Sequence, residues 1–166
     1  MLLTTEYEDE QGVRLAAAAK LLSAARSVDE IVAGLRQTAR DIIGSDGIAV
    51  VLRKGDLCHY VEEDAIEPLW RGAKFPMDEC VSGWAMHHRR TVVIPDLETD
   101  PRVPQAAYAR TSIRSLAMVP MGAPEAVAAL GAYWCAYVEP DDSTVRRLEI
   151  LAQVATIAFS RLSAPA

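Results

Sequence analysis

No two cysteines in this chain have the C-x-x-C spacing, and the three present, Cys58, Cys80 and Cys135, are odd in number and far apart. That points away from a disulfide framework and fits a reducing, cytosolic compartment. No apolar stretch reaches the ~18–20 residues of a membrane span. The longest, "AVAALGAYWCAYV", has 13 residues and mixes small with aromatic types. The N-terminus "MLLTTEYEDE" turns acidic without a basic flank before an apolar run, so it does not read as a signal peptide. Basic excess is missing too. A net charge of −6 argues against a general nucleic-acid binder, which needs a basic face. No G-x-S-x-G, Walker loop, H-E-x-x-H or dinucleotide fingerprint occurs, and there is no internal repeat or low-complexity segment.

What remains is an ordinary soluble composition: 166 residues, 51% hydrophobic and 24% charged. A chain of this length forms one domain that buries roughly 70% of its unfolded surface. Residues 1–11 read as an acidic tail. From Gly12 to Ala25 an alanine-dense segment reads as helix, and "SVDE" is a capping box in which Ser27 and Glu30 open a second helix that Gly44 stops. The period then changes. "GIAVVLR" and "LCHYVEE" read as a hairpin through Lys54-Gly55, "IEPLWRG" as a short helical turn, "AKFPM" as an edge strand and "TVVIPDL" as a strand. A long loop follows, with one helical turn at Gln105 to Tyr108, then the strand pair "SLAMVPM" and "AVAALGAYWCAYV". The last helix opens at Pro140-Asp141-Asp142 and carries two apolar stripes. Leu148, Leu151, Ala155, Ala158 and Leu162 form one; Ile150, Val154 and Ile157 form the other. One stripe covers the sheet, and the other is left for the first helix or a second subunit. Helices at both chain ends around a mostly antiparallel sheet make an α+β architecture.

Three places could carry chemistry. "DECVSGWAMHHRR" reads as a short helix capped by Asp78, with Trp84 on its inner face. His87 and His88 are neighbours whose side chains diverge by about 100° on a helix, and Cys80 sits about two turns from His87. This does not make the i, i+4 pair of a zinc helix. In "LCHY", Cys58 and Tyr60 face one side of a strand and His59 the other, which separates thiol from imidazole. "AYARTSIRS" gathers Tyr108, Arg110, Thr111, Ser112 and Arg114, a set able to hold a carboxylate or phosphate through forked hydrogen bonds. Residues 86 to 120 carry five arginines against three acids in a chain that is net acidic. Trp84, Tyr108, Met118 and Trp134 could line one cavity beside the sheet.

The run "KFPMDECVSGWAMHHRRTVVIPDLETDPRVPQAAYARTSIRSLAMVPM", followed by "AVAALGAYW", resembles the GAF family of sensory domains over about residues 12 to 163. It is most similar in flavour to those found in front of bacterial sensor histidine kinases. The resemblance implies a GAF-like six-stranded antiparallel sheet with the terminal helices on one face. On the other face, a short helix and long loop would lie over a ligand pocket. It also implies a homodimer through the terminal helices and a downstream kinase or other effector region, with no membrane insertion. The expected module is non-catalytic and senses a small molecule, with Trp84, Tyr108, Arg110, Ser112, Arg114, Met118 and Trp134 as ligand contacts and neither cofactor nor metal. The chain stops at "FSRLSAPA", which reads either as a piece of a longer kinase or as a free-standing domain.

The family's variants are tested by their residues. Covalent tetrapyrrole attachment takes a thiol on or near the ligand loop, and "ARTSIRSLAM" has none. The Asn-Lys, Phe and Asp-Glu signature of cyclic-nucleotide binders is absent from residues 96 to 120. In free methionine sulfoxide reductases a Cys stands where this chain has Ser82, with Cys80 two positions early. The alternatives are therefore a thiol redox enzyme of that type using Cys80 with Cys58 or Cys135, and a haem or metal sensor using His59, His87 or His88.

Overall fold

The computed structural model describes residues 2–163. Helix α1 runs Leu2–Ser23 and α2 Val28–Ile43. The expected acidic tail over 1–11 is helical from Leu2 onward; Met1 lies outside the described residues. Gln11, Ala18 and Leu22 are buried and Leu15 packs against them, so one stripe of α1 continues into the acidic segment. The capping box forms. Ser27 Oγ accepts from the Glu30 N–H at 3.1 Å, and the Glu30 carboxylate reaches back to the Arg26 N–H at 2.6 Å. Gly44 ends α2 in the left-handed region at φ 73°. Between these stops Ile31, Leu35, Ala39 and Ile42 recur at helical spacing and are sealed from solvent.

Strands β1 (Gly47–Lys54), β2 (Leu57–Ala65), β3 (Lys74–Pro76), β4 (Val92–Ile94), β5 (Ser115–Met121) and β6 (Ala128–Trp134) form one antiparallel sheet in the order β3-β2-β1-β6-β5-β4. The β1–β2 turn is Gly55-Asp56, one residue later than the sequence indicates, because Lys54 still pairs with Leu57. Strand alternation separates two cores. Ile48, Val50, Ala117, Val119, Leu130 and Ala132 face α1, α2 and the last helix, α5 (Asp142–Ser163). Ala49, Val51, Leu116, Met118, Ala129 and Tyr133 face the other way. Asp141 caps α5 through a 2.8 Å bond from the Thr144 N–H. Leu148, Leu151, Ala155 and Ala158 of α5 are buried, while Ile157 of the second stripe is 59% exposed.

The second core is roofed by α3 (Val81–His88) and α4 (Gln105–Tyr108). Two local expectations give way here. Residues 66–72 form turns rather than a helical turn. Asp78 lies in a short 3-10 turn, Met77–Glu79, and the N-cap position of α3 belongs to Cys80. The 3-10 turn and α3 meet at Gly83, where an added Cβ would stand 1.8 Å from the Met77 carbonyl oxygen. Only glycine admits that approach.

Candidate functional site

A bulge in the β1–β2 ladder at Val50/Val51 positions the site. Val51 opposes Tyr60 but Val50 opposes Glu62, so Val61 is skipped. The extra residue shifts the alternation and places Glu63 on the same face as Tyr60. There the Glu63 carboxylate accepts the N–H groups of Leu69, Trp70 and Arg71 at 2.7, 2.9 and 2.7 Å. This nest folds the 66–72 segment inward and delivers Trp70 over the sheet. The Trp70 indole N–H then donates to the Ala107 carbonyl at 3.1 Å, tying the segment to α4.

Four aromatic rings fill the space between sheet and roof. The Trp70 ring centroid lies 4.6 Å from Tyr108, 5.1 Å from Tyr133 and 5.7 Å from Tyr60. All four residues are buried. Tilted and edge-on arrangements of this kind are the favoured ones for aromatic pairs. Against them lies a polar seam. The Tyr60 hydroxyl is 3.1 Å from the Ser82 hydroxyl, and Ser82 Oγ is 3.3 Å from Cys80 Sγ, which also lies 3.4 Å from the Pro76 carbonyl. The Tyr133 hydroxyl is buried without a hydrogen-bond partner. Burial pushes the Tyr60 and Tyr133 phenols well above their usual range, with the neighbouring Tyr108 adding to it, and raises Tyr108 likewise. All three therefore remain neutral hydroxyls at physiological pH.

The thiols divide their proton unequally. Cys80 is lowered to about 7, first by the hydrogen bond from Cys58 and further by Ser82 and the Gly83 N–H, against the opposing effect of burial. Cys58 moves upward, chiefly through its interaction with Cys80 and secondarily through burial.

Of the residues singled out from the sequence, the structure brings Tyr108 and Met118 to this chamber. Trp84 packs on the edge of this core rather than among its four rings. It is partly exposed, stacked on His88 at 3.9 Å between centroids, with the Arg102 guanidinium 4.5 Å above its ring. Trp134 lies on the helix side, lining a groove with Tyr7, Ile43 and Arg147. The reason is parity: Met118 pairs with Gly131, so the chamber face of β6 carries Tyr133 and not Trp134. Ser112 is exposed and bound through its N–H and hydroxyl to Glu67 at 2.6 and 3.2 Å. Arg114 is exposed, with its guanidinium on its own neighbour's carbonyl. Arg110 is exposed but stands on the rim of a groove of about 440 Å³ lined by Trp70, Ala73, Phe75 and Ala107. His87 and His88 face solvent.

Tyr133 was legible in principle from the strand period, because Gly131 two residues earlier shares its face. Ser82 stood inside the quoted "SGW". Trp70 carried no local signal, since its position depends on Glu63 and the bulge. Among the described residues no group of three or more His, Cys, Asp and Glu could hold a metal ion. No described helix is long and apolar enough to cross a membrane.

A sequence model of the family described as "GAF domain" matches residues 25–160. No curated protein matches the chain. Among solved structures, the free methionine-R-sulfoxide reductase of Neisseria meningitidis, in complex with its substrate, aligns with a TM-score of 0.74 at 20% identity over 89% of this chain and 87% of that one. The GAF domain of a two-component sensor histidine kinase from Bacillus halodurans aligns at 0.70 and 16% identity, covering 83% of this chain and 97% of its own. The GAF domain of the Acinetobacter phosphoenolpyruvate-protein phosphotransferase gives 0.74 at 13%, covering 91% and 94%. At these identities the likeness is one of fold.

Proposed function

This chain belongs to the GAF domain family, and from that premise we propose that it is a non-catalytic input module, sensing a small molecule for a bacterial two-component histidine kinase. The observation that carries the reading is the groove of about 440 Å³ beside α4, which lies against the aromatic core. Behind its Trp70 wall, three neutral phenols and the Ser82 hydroxyl gather within an otherwise apolar core. Arg110 supplies a cation at the rim of the groove. A small, largely apolar molecule with one hydrogen-bonding or anionic group suits that combination.

The terminal helices support a dimer. Val13 and Leu21 on α1 and Ile157 on α5 are exposed apolar residues on the two helices that pack together. A second copy covering them would couple the groove to whatever follows α5. Native mass spectrometry of freshly purified protein tests both parts: the expected species is a dimer carrying a retained small molecule. A strictly monomeric protein that takes up nothing from a metabolite set would overturn the proposal.

One observation favours a second reading, a thiol redox enzyme: Cys80 stands at the N-cap of α3, 3.3 Å from Ser82 Oγ, with its pKa lowered. A thioredoxin-coupled assay on free methionine sulfoxide decides it. Turnover that disappears in Cys80→Ser establishes that chemistry, and no turnover removes it.

A further inference from the structure

The chain has three cysteines and five methionines, and three of these residues meet at one buried point. Cys58 arrives from β2, Met77 from the 3-10 turn and Cys80 from the N-cap of α3. Cys58 Sγ donates to Met77 Sδ at 3.2 Å, and Cys80 belongs to the same buried cluster, its Sγ 3.3 Å from Ser82 Oγ. Their exposures are 0%, 3% and 3%. No imidazole joins them, because His59 points to the opposite side of β2, where its neighbour is Leu52. The oxygens in contact are Ser82 Oγ, a neutral hydroxyl, and the Pro76 carbonyl, both on Cys80.

The backbone beneath the sulfurs is fixed from three sides. Cys58 is held in the ladder opposite Phe75, the Met77 N–H donates to the Asp56 carbonyl at 2.8 Å, and Gly83 is pressed against the Met77 carbonyl. Rigid support of this kind is what a defined coordination site needs.

We propose that Cys58, Met77 and Cys80 form a binding site for one soft monovalent cation, Cu(I). Two thiolates and a thioether are the donor set that selects Cu(I), while zinc takes four ligands and accepts nitrogen and oxygen. Binding replaces two S–H bonds by two Cu–S bonds and releases both protons to solvent, with no change in oxidation state. Two thiolates and one Cu(I) leave a net charge of −1, which the Ser82 hydroxyl and the Gly83 N–H beside Cys80 are placed to stabilise. A bound ion would join β2 to the first turn of α3, across one wall of the chamber. Ser82, on Cys80, would be an outer partner.

The test is an anaerobic Cu(I) titration of the reduced protein in competition with bicinchoninate. One equivalent per chain held against the chelator is expected, together with a rise in melting temperature. Cys58→Ser and Cys80→Ser should each lose more than the roughly 10–100-fold that an outer partner is worth, and Ser82→Ala should fall within that range. Cys135→Ser should bind as the parent does. Met77→Leu keeps the core volume and should still weaken binding, so the inference stays exposed even where a cysteine variant does not fold. Complete loss of copper to bicinchoninate, or retention by the Cys58→Ser/Cys80→Ser double variant, would overturn the site. Zinc bound as tightly as Cu(I) would overturn the choice of ion. Copper failing while an organic ligand is retained sinks this inference alone and leaves the proposed function standing.

Discussion

The Tyr60 and Ser82 hydroxyls lie 3.1 Å apart inside the second core and join β2 to α3. Neither has access to water, so the bond is their means of avoiding a desolvation cost. It also helps to fix the rotation of α3, which leaves Trp84 at the edge of the core and His87 and His88 exposed.

Removing one partner should therefore cost more than removing both. Ser82→Ala leaves a buried phenol unpaired and should destabilise by about 1–3 kcal/mol, whereas adding Tyr60→Phe to it should recover part of that loss. Urea unfolding of the two single variants and the double variant measures the coupling. Strict additivity would show that the hydroxyls do not interact.

Gly83→Ala should be among the most damaging single-methyl additions in this chain. The new Cβ would overlap the Met77 carbonyl, which is backbone and cannot turn aside. Overpacking costs typically 1–3 kcal/mol, and about 3 kcal/mol or more is expected here. Gly12→Ala, where a Cβ meets nothing within 4 Å, is the control and should be neutral or slightly stabilising. Thermal unfolding of the pair reads the contrast.

The two thiols should give opposite pH dependences. Cys80 is lowered from 9.0 to about 7 in the folded chain, so its contribution is present above pH 9 and lost as pH falls through 7. Cys58 is raised above its ordinary 9.0, so its contribution is complete below pH 9 and declines above it. Stability from this pair should rise from pH 7 to 9 and then fall. In a Cys135→Ser background, thiolate absorbance should report one midpoint near 7. Cys58→Ser removes the largest influence on Cys80 and should move that midpoint toward 9. An unmoved midpoint would contradict the assignment.

Arg161 in the last turns of α5 donates to the Ser23 and Ala25 carbonyls at 2.6 and 2.5 Å, closing the C-terminal end of α1. Arg161→Met keeps the stem and loses two charged hydrogen bonds, worth about 1.5–3 kcal/mol each when fully formed and less at this exposed position. A total loss of about 1–2 kcal/mol is expected. Hydrogen exchange should show it as faster exchange of amides near the end of α1, with the sheet unaffected.

The helix boundaries were largely legible because their causes are local. Ser27 with Glu30, Gly44, and Asp141 all act within four residues of the backbone groups they satisfy. The strands and the turn at Gln105–Tyr108 were legible for the same reason, and the motif order across "SGWAM", "TVVIPDL" and "SLAMVPM" carried the family. The site was less so. Tyr108 and Met118 reach the chamber, while Trp84 and Trp134 were placed by residue type although helix rotation and strand parity send them elsewhere.

By itself the sequence determined the α+β class and most of the element order, since capping, alternation and apolar spacing are properties of neighbouring residues, and its motif order carried the resemblance to the family. Tertiary structure decided which side chains meet. The bulge at Val50/Val51 turned Glu63 inward, Glu63 drew Trp70 over the sheet, and the contact of Gly83 with Met77 brought Cys80 to Cys58. Each of those steps joins residues on different elements, and close packing rather than local preference selects them.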